Sequence, residues 1–324
     1  MHKVLPEAII RTLKRQKYQL VGSHSGVKKC KWLHQSLVNN RGCYKSKFYG
    51  IQSHRCLQMT PAVAFCNMQC MFCWRVQSDE IGVKWNELKS SVWDEPEDIV
   101  EGSINAQKRM LIGYNAQIND GKIDPKKLYE ALHPKHVAIS LSGEPTIYPN
   151  LDELIFEFNK RGFSSFLVTN GMCPEVLENL TSTPSQIYIS LCAPNEDIFK
   201  RLCRPRISKA WERLMNSLSL LHSFNCPTAI RITSVEGLNM KEVEEYSRII
   251  QRVSPTYIEV KAYMYIGYSR RRLNFENMAN HSGIRRFGKE LSEITGYNII
   301  DESADSRVVL LSEMEKPIQI SKNK

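Results

Sequence analysis

The stretch AFCNMQCMFCWR, residues 64–75, sets Cys66, Cys70 and Cys73 in a C-x3-C-x2-C array among apolar and aromatic neighbours. Thiolates of this kind are metal ligands. Three can hold three irons of a cubane 4Fe–4S cluster and leave the fourth iron open to a small ligand. Zinc would ask for a fourth Cys or His at ligand spacing, and Trp74 and Arg75 follow instead. A chance group of buried core thiols is the remaining alternative.

The spacing, with Phe72 before the last cysteine, resembles the signature of the radical S-adenosylmethionine superfamily. That resemblance implies an open iron that chelates the amino and carboxylate groups of S-adenosylmethionine and, given one electron, yields a 5′-deoxyadenosyl radical. Three later loops fit the same expectation. SLSGEPT (140–146) resembles the glycine-glutamate motif, with Ser142 in place of the commoner first glycine, Gly143 for close backbone approach and Glu144 for the methionyl ammonium. LVTNG (167–171) offers Thr169 and Asn170 to ribose or carboxylate, and YISLCAP (188–194) offers Ser190 to ribose. Arg204, in LCRP, is the candidate partner of the cofactor carboxylate. Taken singly, SG and NG commonly mark ordinary turns; their recurrence at consecutive strand ends does not.

The elements that must position these loops are legible from about residue 96. PEDIVEGSINAQKRMLIGY predicts a helix with Pro96 in its first turn, and HVAISLSG a buried strand. The alternation continues through NLDELIFEFNKRG, closed by Gly162, then SSFLVTNG, PEVLENL and SQIYISLCAP. Helices near 195–203 and 208–223, the strand TAIRITS, a helix over 240–252 and the strand YIEVKAYM complete it. MTPAVAF, residues 59–65, reads as the strand before the cysteine loop. Short apolar strands alternating with longer amphipathic helices mean βα units and a parallel sheet. About six units predict an α/β fold: a partial (β/α)6 TIM-like barrel of the radical type with N- and C-terminal extensions. Its site belongs at the carboxyl ends of the strands. The expected division is a basic extension over 1–60, a radical core over 61–262 and a C-terminal elaboration over 263–324.

The chain has 324 residues and ten cysteines, and charges interrupt the apolar positions of MHKVLPEAIIRTLKRQKYQL at helical spacing. This argues against a signal peptide or a membrane span and predicts a cytoplasmic protein, where grouped thiols mean metal more often than disulfide. Residues 1–49 hold eleven basic side chains (Lys3, Arg11, Lys14, Arg15, Lys17, Lys28, Lys29, Lys31, Arg41, Lys45, Lys47) against Glu7, and so account for the whole formal net charge of +10. A polyanion such as RNA and a merely solvated basic face both fit. Tyr18, Trp32, Tyr44, Phe48 and Tyr49, interleaved with these charges, add candidate stacking platforms.

Upstream of the radical motif, Cys30, Cys43 and Cys56 repeat at intervals of thirteen. With CKW, CYKSKFYGI and SHRCLQMTP around them, and with SLSGEPTIYP, FLVTNG, YISLCAP and YIEVKAYMYIGYSRRRLNFENM downstream, most of the chain resembles the 4-demethylwyosine synthases, tRNA wybutosine-synthesis enzymes of the radical superfamily, in their single-domain archaeal-type form. The resemblance implies a carbon–carbon lyase with two 4Fe–4S clusters, the second on Cys30, Cys43 and Cys56. It implies S-adenosylmethionine as cofactor, and condensation of pyruvate with N1-methylguanosine beside the anticodon of tRNA-Phe, with the open iron of the second cluster as one candidate to chelate the carboxylate and carbonyl oxygens of pyruvate. Lys45 matches the family's candidate for Schiff-base chemistry with the ketone, and Lys47 is its neighbouring competitor. Arg270 to Arg272, Arg285 and Arg286 are phosphate candidates. A flavodoxin-like domain of longer members has no counterpart here, so an external donor, flavodoxin or ferredoxin, and a monomeric chain are expected. Tyr265 stands where the family commonly has histidine. Another RNA-modifying radical enzyme, such as a methyltransferase or methylthiotransferase, and a non-enzymatic metal-binding RNA-binding module are the competing readings. Cys173, Cys192, Cys203 and Cys226 show no comparable grouping.

Overall fold

The computed structural model describes residues 5–88 and 92–320; Lys3 and the last four residues of the C-terminal elaboration lie outside them. The N-terminal part contains α1 (Glu7–Arg15), β1 (Gln19–Val21), β2 (Ser25–Val27), α2 (Lys31–Val38), α3 (Tyr44–Tyr49) and β3 (Cys56–Thr60). There follow α4 (Pro96–Leu111), α5 (Asn115–Asn119), α6 (Pro125–Leu132), β4 (His136–Ile139), α7 (Leu151–Lys160), β5 (Ser164–Thr169), α8 (Pro174–Glu178) and β6 (Gln186–Ser190). The chain continues through α9 (Glu196–Cys203), α10 (Ala210–Ser219), β7 (Thr228–Ser234), α11 (Val243–Val253), β8 (Tyr257–Ala262), α12 (His281–Thr295), β9 (Asn298–Ser303) and β10 (Val308–Ser312).

The ten strands of the described residues form one sheet in the order β1-β2-β3-β4-β5-β6-β7-β8-β10-β9. The run from β3 to β8 is parallel, six strands joined by helical crossovers. This is the expected (β/α)6 partial barrel. The hairpin β1–β2 adds antiparallel to β3 at one edge, Gly26 opposite Thr60, and β10 adds antiparallel to β8 at the other.

The local reasons are those of the sequence pattern. Helix α4 starts at Pro96, whose missing N–H costs nothing in a first turn, with Glu97 and Asp98 near the positive end of its dipole and Lys108 and Arg109 near the other. It buries Ile99, Val100, Ser103, Ala106, Gln107 and Leu111, which recur every three or four residues along one face. The parallel strands are covered on both faces and therefore carry near-continuous apolar runs, as in the fully buried Ile187, Tyr188 and Ile189 of β6.

The expected strand over 59–65 is displaced. The strand is β3, Cys56–Thr60, and it leaves the sheet at Pro61, which has no N–H for a ladder. The Pro61 carbonyl accepts a hydrogen bond from His24, and the Ala62 N–H donates to Thr60 Oγ1 at 3.1 Å. Cys56 thus lies on the first parallel strand, and the cysteine loop begins one turn after its end.

Candidate active site

A cavity of about 380 Å³ opens at the carboxyl ends of the parallel strands, within the roughly 300–1,000 Å³ usual for small-molecule sites. Cys66, Cys70 and Cys73 line it, together with Ser142, Gly143, Glu144, Thr169, Asn170 and Ser190 from the next three strand ends. Of the seven cofactor-loop residues named from the sequence, Arg204 alone does not line this cavity. Its side chain is exposed, and it serves through its backbone, in the left-handed region at φ 47°, where its carbonyl accepts from the Gln69 N–H at 3.0 Å. The cavity-lining arginine is Arg206, two residues on, whose buried guanidinium pairs with Asp79 at 2.8 Å.

The loops are tied to one another by the residues expected to touch cofactor. Glu144 is buried; its Oε1 accepts from the Thr146 N–H and hydroxyl and from Thr169 Oγ1, and its Oε2 accepts from the Asn170 N–H at 2.8 Å. Burial holds its carboxyl above the usual range, while the hydrogen bonds from Thr169, Asn170 and Thr146 oppose that shift. Oε2 keeps acceptor capacity for a ligand ammonium. Asn170 Nδ2 donates to Asn67 Oδ1 at 2.8 Å, joining β5's end to the cysteine loop. The Ser142 hydroxyl donates to the Val63 carbonyl at 2.7 Å, so the serine in place of glycine is used as a strut. Gly143 adopts φ +68°, and a Cβ there would overlap the carbonyl oxygens of Ala62 and Phe65.

Burial pushes the Cys66 thiol up, with Cys70 and Glu144 adding to it. The Cys70 thiol is raised first by its hydrogen bond with Cys203, then by burial. Among the described residues no three His, Cys, Asp or Glu side chains stand close enough to share a single metal ion. A cube several irons wide asks its thiols to stand farther apart than one ion does, and its open iron asks for a cavity at the thiols. The donor set fits: three thiols on one cavity wall, with Glu144, Thr169 and Asn170 beside them.

The upstream cysteines, thirteen residues apart in sequence, come together in space. Cys30 precedes α2, Cys43 precedes α3 and Cys56 opens β3. The Cys56 thiol is raised by burial and by both Cys30 and Cys43. Ser53 Oγ donates to Cys43 Sγ at 3.3 Å. Lys45 and Lys47 diverge. Lys47 pairs with Asp301 at 2.7 Å on the surface. Lys45 turns inward, its Nζ 4.0 Å from the Phe166 ring centre and 4.2 Å from that of Tyr188. Burial lowers its pKa to about 7, helped by Arg231 and opposed by Glu259, Cys56 and Cys43.

Arg231 and Glu259 were not foreseen. Arg231, on β7, lines the cavity. Its Nε and Nη2 donate to Glu259 Oε2 at 3.1 and 2.8 Å, and Nη2 also donates to the Tyr44 hydroxyl at 2.8 Å. Glu259, on β8, is fully buried and also accepts from the Tyr49 and Tyr44 hydroxyls. Burial opposes its ionisation, but Arg231 and Lys45 outweigh this and hold the carboxyl below its usual range. The signal was present in TAIRITS and YIEVKAYM, each with a charge inside a buried strand.

The basic clusters divide. Arg272 is buried against the site, donating to the Cys73 carbonyl, whereas Arg270 and Arg271 are exposed beside the rim residues Met264 and Ile266. Arg285 and Arg286 are exposed on α12, with Arg285 paired to Glu302 at 3.3 Å. Tyr265 stacks edge-on against Phe275 at 5.9 Å.

Residues 61–250 match the family described as the radical SAM superfamily, and residues 252–313 the family described as wyosine base formation. The chain is 47% identical over 311 residues to the S-adenosyl-L-methionine-dependent tRNA 4-demethylwyosine synthase of Pyrococcus abyssi, covering 95% of this chain and 89% of that one. It is 42% identical to the enzyme of the same name from Methanocaldococcus jannaschii, covering 97% and 99%. It superposes with a TM-score of 0.87 and 40% identity on a solved structure of TYW1 with a lysine–pyruvate adduct bound, over 98% of this chain and 99% of the other. With this fold, this cavity and these relatives, the chain belongs to the tRNA 4-demethylwyosine synthase family of radical S-adenosylmethionine enzymes.

Proposed function

We propose that this synthase joins pyruvate to N1-methylguanosine beside the anticodon of tRNA-Phe, forming the third ring of the tricyclic base on the way to wybutosine. One observation supports this most directly: the cavity lined by Cys66, Cys70 and Cys73 reaches Arg231 and Lys261 on the opposite strand ends, and Arg231 adjoins Lys45. A radical source and an amine suited to a ketone are thus neighbours.

Cys66, Cys70 and Cys73 would hold the cluster that carries S-adenosylmethionine, and Cys30, Cys43 and Cys56 a second 4Fe–4S cluster. When bound, cluster and cofactor supply a radical able to abstract hydrogen from the N1-methyl group. The protein's own part is placement. Glu144 Oε2 receives the methionyl ammonium; Thr169, Asn170 and Ser190 offer polar contacts to ribose and carboxylate; and Arg206 offers the buried charge that Arg204 does not. Lys45 adds to the pyruvate ketone, and the carboxylate carbon of pyruvate is lost when its other two carbons enter the ring. The target base leaves the anticodon-loop stack to reach the cavity, which is inexpensive in a single-stranded loop. Residues 1–60 bring the second triad, 61–262 the radical core and 263–324 the rim with Arg270 and Arg271. Electrons come from a separate flavodoxin or ferredoxin, and the enzyme works in the cytoplasm as a monomer. Among the described residues no helix is long and apolar enough to cross a membrane.

The test is anaerobic reconstitution with reductant, S-adenosylmethionine, pyruvate and N1-methylguanosine tRNA, followed by digestion and mass spectrometry of the nucleosides. A tricyclic nucleoside that requires pyruvate is expected. It should disappear in Cys66→Ala, Cys30→Ala and Lys45→Ala and persist in Lys47→Ala. Cofactor cleavage without a pyruvate-dependent nucleoside would keep the radical core and overturn this reading.

A further inference from the structure

Arg231 occupies ground shared by the cavity and the upstream cysteines. Its guanidinium carbon lies 4.4 Å from the ring centre of Tyr188, the same ring that Lys45 Nζ approaches at 4.2 Å. Lys261, which also lines the cavity, adds a third basic head, donating to the Ser306 carbonyl at 2.7 Å and lying 4.7 Å from the Tyr44 ring centre. Among the described residues, Glu259 is the carboxylate set against this group, and its oxygens are taken by Arg231, Tyr44 and Tyr49. Buried charges are ordinarily paired. Three basic side chains around one carboxylate leave room for another anion. Lys261 lines the same cavity but is held by the Ser306 carbonyl and the Tyr44 ring, and Arg231 is the permanently charged member of the three.

The hydrogen bonds of Arg231 specify where that anion goes. Nε donates to Glu259, and the two hydrogens of Nη2 are divided between Glu259 and Tyr44. Among the described residues, the two hydrogens of Nη1 remain for a ligand. A guanidinium so fixed is a rigid, permanently charged donor matched to a carboxylate.

We propose that Arg231 binds the carboxylate of the 2-oxo acid substrate through Nη1, and that Glu259 and Tyr44 position its guanidinium so that the adjoining ketone meets Lys45. Arg231 is then the residue that selects a 2-oxo acid over a plain ketone, and Glu259 is a positioning residue. This rests on the reading that Lys45 forms the adduct with pyruvate. In that step the amine adds to the ketone carbon, the carbonyl oxygen leaves as water, and a C=N bond remains that added cyanoborohydride reduces to a stable secondary amine.

The anaerobically loaded enzyme is titrated with pyruvate and, separately, with pyruvamide, its uncharged carboxamide analogue. The reduced adduct on the Lys45 peptide is measured by mass spectrometry. A charge-assisted hydrogen bond predicts half-saturation by pyruvate at roughly 10- to 100-fold lower concentration than by pyruvamide. Arg231→Gln should erase that preference, Arg231→Lys should restore part of it, and Glu259→Gln should raise KM for pyruvate more than it lowers kcat in nucleoside formation. Equal saturation of the unmodified enzyme by the two compounds overturns the proposal without any variant, as does a preference that survives Arg231→Gln. No adduct on Lys45 in the unmodified enzyme would instead refute the Lys45 reading; a pyruvate KM unchanged in Arg231→Lys and Arg231→Gln would then refute the role of Arg231 separately.

Discussion

At the scale of single residues the site is built by removing alternatives. Gly143 sits at φ +68° with the carbonyls of Ala62 and Phe65 where a side chain would be. A left-handed backbone costs an L-residue roughly 1–2 kcal/mol before any overlap, and here the overlapping atoms are backbone of the cysteine loop, which cannot swing aside as a side-chain tip can. Gly143→Ala should therefore lower stability by more than about 2 kcal/mol, read as a drop in the urea midpoint, and should impair cluster loading along with it. Unchanged stability would mean that the loop repacks freely. The glycine was legible in SLSGEPT because close approach needs a glycine there. The choice between Arg204 and Arg206 was not, because it depends on the left-handed turn that ends α9 and throws the first side chain outward. The charges of Arg231 and Glu259 stood out in their strands, but their pairing was hidden for a different reason: their partners Tyr44 and Tyr49 are about two hundred residues away in the chain.

At the scale of elements, the alternation from α4 onward was readable because buried parallel strands are short apolar runs and their crossover helices are long and amphipathic. The hairpin β1–β2 was not readable, being two strands of three residues each with no alternation to detect. Its anchor is His24, fully buried, whose Nδ1 donates to the Pro61 carbonyl at 2.5 Å and whose Nε2 accepts from the Asp94 N–H at 2.7 Å. Both ring nitrogens are used by the neutral form. Burial lowers the His24 pKa, with the Pro61 carbonyl and Asp94 only partly offsetting it. The unfolded chain thus takes up a proton more readily than the folded one. This contribution to stability is complete above the ordinary histidine value of about 6.5 and is lost as pH falls through the lowered folded value. Denaturation at a series of pH values should show stability declining below about pH 6.5, by up to about 1.4 kcal/mol per pH unit from this group. In His24→Gln the decline should be shallower by one proton. An identical slope in both proteins would remove His24 as its source.

At the scale of the whole molecule, the basic N-terminal segment is less available than its composition suggests. Arg41 pairs with Asp305 and Lys47 with Asp301, Lys29 donates to the Tyr114 hydroxyl, and Lys28 is drawn to the Gln16 carbonyl between Tyr18 and Trp74. Lys45 is turned inward over the rings of Phe166 and Tyr188. Exposed basic side chains also stand on two elements packed against the cysteine loop. Helix α1 presents Arg11, Lys14 and Arg15 outward while Ile9 and Leu13 join the apolar cluster that includes Phe65 and Trp74 of the cysteine loop. The turn after β8 presents Arg270 and Arg271, and is fixed to the same loop by the Tyr268 N–H donating to the Trp74 carbonyl at 3.0 Å. If Arg270 and Arg271 meet phosphates, their removal should weaken tRNA binding regardless of the base at the modification site, and should reduce the slope of log affinity against log salt by about 0.7–0.9 for each phosphate they neutralise. Filter binding of tRNA to Arg270→Ala/Arg271→Ala over a salt series measures both. Affinity that falls without a change in salt slope would place these arginines in local structure and return the phosphate-binding role to α1.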